Sequence, residues 1–139
     1  MDVREAKQNE VNNIKELVDS AEEMDTDDST YTIDYFEKLL SDHLLLVAVK
    51  SNDTQSVIGT CFGKYNREQD WADMVGLVVQ EGYRNEGIGT ELVETFERVV
   101  ADYNISTIDL FADKTRQSFF EQLGYKKGRT YVAFRKHLE

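Results

Sequence analysis

Arg84, Gly87 and Gly89 stand at the spacing Arg-x-x-Gly-x-Gly inside "VVQEGYRNEGIGTEL", residues 78–92, after an apolar run and before an amphipathic one. Glycine lets a backbone turn its N–H groups toward one point with no Cβ in the way. The first turn of a helix adds unpaired amides and the positive end of a dipole. The chemistry open to such a loop is main-chain binding of a compact anion such as a diphosphate, and an ordinary packed turn is the alternative. Two other phosphate loops do not fit. A dinucleotide-binding loop requires a third glycine where this chain has Leu92, and a Walker loop requires Gly-Lys-Ser/Thr, which does not occur.

Few other side chains carry nucleophile or ligand chemistry. Cys61 is the only cysteine, which excludes an intrachain disulfide and a cysteine zinc cluster, and its apolar surroundings predict a buried, inert thiol. His43 and His137 have no carboxylate at ligand spacing, so structural or solvated roles are expected and no metal site is predicted. Trp71 either lines a cleft or covers a hairpin end.

The elements that must position the glycine loop follow from periodicity. "DVREAK" reads as a short strand, and "NEVNNIKELVDSAEE" places Val11, Ile14, Leu17 and Val18 on one helical face. "TIDYFEKLLSD" repeats that spacing with Ile33, Phe36, Leu39 and Leu40. "HLLLVAVK", "SVIGTCFGKY" and "ADMVGLVV" are predicted strands, the first two joined by a turn at "SNDTQ". In "GTELVETFERVVADY", Leu92, Phe96, Val99 and Val100 form an apolar stripe. "ISTIDLFAD" is strand-like, "TRQSFFEQLGY" a short helix ending at Gly124, and "RTYVAFRKHL" a predicted closing strand. The order predicts an α/β chain: a mixed sheet with helices on both faces.

At 139 residues one domain is expected. The longest apolar run, "LLLVAV", is far below the roughly 20 residues a bilayer requires, and "MDVREAKQNE" has no signal-like core, so a cytoplasmic protein is expected. The net charge of -11 is uneven: residues 1–42 hold thirteen acids against four bases, and 19–28 hold six acids and no base. Such a surface disfavours nucleic acid and anionic membrane and favours cationic partners, or is only a solvated loop.

"DMVGLVV", "YRNEGIGTEL", "IDLFAD" and "SFFEQLGY" in that order resemble the GCN5-related N-acetyltransferase (GNAT) superfamily. "VREAKQNEVNNIKEL" is similar to its opening strand and helix and "YVAFRKHL" to its closing strand, so the likeness covers nearly the whole chain. The resemblance implies a single GNAT domain over 1–139, with two central strands splayed apart. It implies acetyl-coenzyme A as co-substrate, without a metal. By position, the amides of Arg84, Asn85, Glu86, Gly87, Ile88, Gly89 and Thr90 would hold the pyrophosphate. Leu77, Val78 and Val79 would pair with the pantetheine arm as a strand edge does, and the Leu77 N–H would polarise the thioester carbonyl.

The same resemblance implies Asp73 as general base, at the position of the glutamate of histone-type relatives. Many other relatives carry an acid where this chain has Gly76. In "FFEQLGY", Phe120 occupies a cofactor-side position at which many relatives have a proton-donating tyrosine; a phenyl ring cannot donate, so no general acid is assigned, and Tyr125 reads as packing. Glu86 is a second departure, since a carboxylate beside a pyrophosphate costs about 1 kcal/mol at 4 Å in water. The function implied is transfer of an acetyl group to a cationic primary amine, a small molecule or a lysine side chain of a peptide. The alternative is a coenzyme A-binding sensor or interaction module. A homodimer through the C-terminal strands is compatible with the resemblance.

Overall fold

The computed structural model describes residues 1–21, 31–50 and 53–138. Its elements are β1 (Asp2–Glu5), a 3-10 turn (Gln8–Glu10), α1 (Val11–Asp19), α2 (Ile33–Asp42), β2 (Leu44–Lys50), β3 (Asp53–Asn66), β4 (Trp71–Val79), α3 (Ile88–Asp102), β5 (Ile108–Leu110), a 3-10 turn (Lys114–Arg116) and α4 (Gln117–Gln122). The strands form one sheet in chain order. β1 to β4 are antiparallel neighbours, and β5 runs parallel to β4. A parallel pair needs a crossover, and α3 supplies it.

Successive strand residues point to opposite faces, so a sheet covered on both sides needs strands that are apolar throughout. β2 meets that demand with six consecutive buried residues. Leu44, Leu46 and Ala48 pack with Leu92, Phe96 and Val100 of α3, while Leu45, Val47 and Val49 pack with Ile14 and Val18 of α1 and Phe36 and Leu39 of α2. The helices begin and end where the local chemistry directs. Thr32 caps α2 by accepting from the Tyr35 N–H at 3.1 Å, and Gly124, at φ +93°, follows α4. Glu10, only 3% exposed, is bound by both Arg4 nitrogens at 2.9 and 2.8 Å and by the Lys7 N–H at 2.8 Å, which fixes β1 to the start of α1.

Three expectations are corrected. The closing strand does not form: residues 125–138 are irregular, and Tyr131, Val132, Phe134 and Leu138 are exposed. A strand needs an edge to pair with, and β5 is three residues long, followed by irregular chain in which Phe111 meets the Tyr131 ring edge-on at 5.5 Å. The strand expected over 105–113 shrinks to Ile108–Leu110 because only Ala72, Asp73 and Met74 of β4 pair with it. The second strand of the hairpin, expected from Ser56, begins earlier, with β3 at Asp53 opposite Lys50. Of the acidic block at 19–28, positions 22–28 lie outside the described residues. Among the described residues no helix is long and apolar enough to cross a membrane.

Candidate functional site

The site is created by a fault in the sheet. Gly63 pairs with Met74 and Phe62 with Gly76, so Val75 is an extra residue that bulges β4. The Phe62 ring lies where a Cβ on Gly76 would be, at 2.3 Å, which leaves no room for the acidic side chain some relatives place there. Beyond the bulge β4 continues through Leu77, Val78 and Val79, while pairing with β5 has stopped at Met74. β5 itself ends at Leu110, so beyond Met74 this edge of β4 has no strand beside it.

Main-chain direction along this free edge follows from register. The Gln80 N–H donates to the Ile58 carbonyl of β3 at 2.8 Å, and Val78 pairs with Thr60, so Leu77 and Val79 direct their N–H and C=O groups to the opposite, open side. Two arginines reach that side. Arg84 Nε donates to the Val79 carbonyl at 3.0 Å, and Arg116 Nη2 donates to the Leu77 carbonyl at 2.9 Å. A polar chain laid along this edge therefore meets the Leu77 and Val79 N–H donors, beside carbonyls that already accept from arginine.

The glycine loop lies at the end of the same edge. Gly82, Asn85 and Gly87 all have positive φ, and Gly87, at +82°, is the N-cap of α3 with no side-chain cap. Tyr83 donates to Gln80 and Glu91 to Gly87, but among the described residues no main-chain N–H from 85 to 90 has a protein acceptor in hydrogen-bonding geometry. Six consecutive amides at a helix N-terminus are thus open to an anion. Glu86 is exposed. Ile88, by contrast, is buried, and a Cβ on Gly89 would lie 3.5 Å from the Phe119 ring of α4, so the helix start packs beside that element.

On the other face, toward α1 and α2, Asp73 is half-buried. Burial and the neighbouring Asp109 of β5 push its carboxyl above the usual range, against the pull of Lys64. Asp109 is its register partner, and the Trp71 indole donates to Asp109 at 2.9 Å. Trp71 therefore bridges β4 to β5. Tyr31 and Tyr35 sit within the field of Asp73, and burial above all pushes the Tyr35 phenol up to about 12, so both rings stay neutral. A cavity of about 310 Å³ opens at the far end of β4, between Leu17, Ser20 and Ala21 on one wall and Val78, Gln80 and Arg84 on the other.

The remaining sequence candidates separate cleanly. Cys61 is fully buried, and burial holds its thiol far above the ordinary range. His43 accepts from the Tyr65 N–H at 3.3 Å and packs edge-on against that ring. Phe120 is buried on the α3 side beside Phe119 and Tyr125. Sequence reasoning missed Arg116, Asp109 and the Tyr31–Tyr35 pair. Arg116 stands four residues before Phe120, a helical spacing that could have singled it out, whereas Asp109 needed the parallel register to be known.

A family model described as Acetyltransferase (GNAT) family matches residues 11–125. No curated protein matches by sequence. Among solved structures, the PaiA N-acetyltransferase from Thermoplasma acidophilum in complex with coenzyme A superposes with a TM-score of 0.78 at 15% identity, covering 94% of this chain and 92% of that one. An aminoglycoside acetyltransferase, meta-AAC0020, from an uncultured soil metagenomic sample in complex with sisomicin gives 0.76 at 17% identity, covering 99% and 96%. A transcriptional regulator from Bacillus halodurans C-125 gives 0.76 at 20% identity, covering 97% and 99%.

Proposed function

The chain belongs to the acetyltransferase (GNAT) family, and from that membership we propose that it is a single-domain N-acetyltransferase. Its reaction is direct transfer of an acetyl group from acetyl-coenzyme A to the primary amine of a cationic small molecule or lysine side chain. The observation that carries this reading is the run of open amides at 85–90 continuing the free edge at Leu77 and Val79. These residues fit coenzyme A: a diphosphate matches the amides, and the two amides of the pantetheine arm match the strand edge. When bound, the co-substrate supplies an acetyl group activated as a thioester.

The chain's own residues do the rest. The Leu77 N–H is a fixed donor for the carbonyl oxygen as charge develops on it. Arg84 adds positive charge beside the loop, and Phe120 gives the arm an apolar wall. Asp73 takes up the proton that the amine nitrogen sheds as the C–N bond forms. Four residues along a strand are ~13 Å, so the proton reaches its carboxylate through a chain of waters. The acceptor's cationic character is supported by the carboxylates of Asp73 and Asp109 and by the faces of Tyr31 and Tyr35 on the acceptor side.

The sensor or interaction-module reading keeps one observation in its favour, the phenyl ring of Phe120 where a proton donor is expected. An acetylation assay over a panel of amines, run beside calorimetric titration of coenzyme A, separates the two. Turnover with any amine supports the enzyme, binding without turnover favours the module, and absence of binding overturns both. We also propose a homodimer built through 125–138, whose apolar side chains are exposed in the single chain.

A further inference from the structure

No general acid is assigned from the sequence, and the group that reaches the Leu77 edge is a cation. Arg116 crosses from the 3-10 turn before α4 to the Leu77 carbonyl, and its guanidinium lies 5.6 Å from the Phe120 ring centroid. The N–H and C=O of one strand residue point the same way. A guanidinium bonded to the Leu77 carbonyl therefore stands beside whatever the Leu77 N–H holds.

A thiol leaving group does not require a proton donor. An alkyl thiol is acidic enough to depart as the thiolate near neutral pH, provided its charge is stabilised as it forms. Arginine is the one side chain that stays cationic at every pH of interest, and its planar fork can keep the Leu77 carbonyl while facing a second acceptor.

We propose that Arg116 is a catalytic residue that stabilises the departing coenzyme A thiolate in place of a proton donor. This rests on the reading above that the thioester lies on the Leu77 N–H. In the step, the lone pair of the neutral amine forms the C–N bond to the acetyl carbon. The C–S bond breaks with its electron pair on sulfur, the surplus proton on nitrogen passes through water to Asp73, and sulfur leaves as a thiolate facing the guanidinium. The products are the amide, the thiolate and one proton, so no further co-reactant is needed.

The charged and titratable neighbours do not obscure this. Asp113, whose carbonyl accepts the Arg116 N–H at 3.1 Å, has its carboxyl held low by Thr115 and then by Arg116. Across the sheet, burial pushes the Cys61 thiol up, and its surroundings include Arg116 and Glu97. Tyr125 is pushed up by burial and by Glu97 of α3. Cys61, Asp113 and Tyr125 thus keep their charge states between about pH 6 and 10.

The test needs no acceptor: the thiol of bound coenzyme A is titrated by the ultraviolet absorbance of its thiolate in the wild type, Arg116→Gln and Arg116→Lys. The expected result is that the bound thiol ionises about tenfold more readily than free coenzyme A, that Arg116→Gln abolishes this gain and that Arg116→Lys keeps part of it. Affinity for coenzyme A measured well below the thiol pKa should change by less than about threefold in either variant. Equal ionisation in the wild type and a folded variant, with coenzyme A bound to both, overturns the role of Arg116 and leaves the cofactor site standing. Failure of the wild type to bind coenzyme A overturns both.

Discussion

Asp73 and Asp109 lie side by side only because β5 runs parallel to β4 in one register, and with Asp73 as the proposed base that juxtaposition governs the expected pH dependence. Burial and Asp109 raise the Asp73 carboxyl, so its basic form appears only above a pH higher than is usual for aspartate. The acid limb of kcat/KM should fall at that raised pH, and Asp109→Asn should move it lower; a limb unmoved in a pH-rate profile contradicts the coupling. Asp73→Asn should lower kcat by roughly 10²- to 10⁴-fold with coenzyme A affinity unchanged. Steady-state kinetics beside calorimetry checks both halves. In the sequence, Asp73 was visible through family resemblance and Gly87 through the backbone it must adopt. Asp109 and Arg116 were not, because each acquires its meaning from a partner 36 or 39 residues away.

Elements with a strong apolar period were legible, and the faults between them were not. The stripe of Leu92, Phe96 and Val100 marked α3, and the unbroken apolar run of β2 marked a strand covered on both faces. The bulge at Val75 left no such mark, since its cause is the packing of Phe62 over Gly76 rather than any local preference. Two substitutions test how elements are held. Gly87→Ala forces alanine to φ +82° with open space around its Cβ, so the penalty is conformational. It should cost about 1–2 kcal/mol, read as roughly tenfold weaker coenzyme A binding as the loop relaxes. Arg4→Ala removes the ion-pair partner of the Glu10 carboxylate, which keeps only the Lys7 N–H, and should destabilise by about 1–3 kcal/mol in thermal or denaturant unfolding. Burial raises the Glu10 pKa, but the bonds from Arg4 and Lys7 outweigh it and hold the group low. Its stabilisation is therefore present above the unfolded carboxyl pKa and lost as pH falls through the folded one, and Arg4→Ala should flatten that dependence.

Across the whole molecule the charge and the C-terminal segment carry the remaining expectations. With residues 1–42 at thirteen acids to four bases, lowering the salt concentration should lower the apparent KM for a cationic amine severalfold, as screening weakens. The strand expected over 129–138 carries a consecutive apolar run, Tyr131 to Phe134, yet finds no edge in one chain, so the run and the resemblance overstated it. Sedimentation of the full chain should show a dimer, and Phe134→Asp, at a side chain 93% exposed, should shift it toward monomer without changing the monomer's fold. What unites the two faces of the sheet is the open main chain at the end of β4, and amide NMR reads it directly. On titration with coenzyme A, the N–H resonances of residues 85–90 and of Leu77 and Val79 should move furthest in the spectrum. If saturating coenzyme A leaves those resonances in place, the account of this site is wrong.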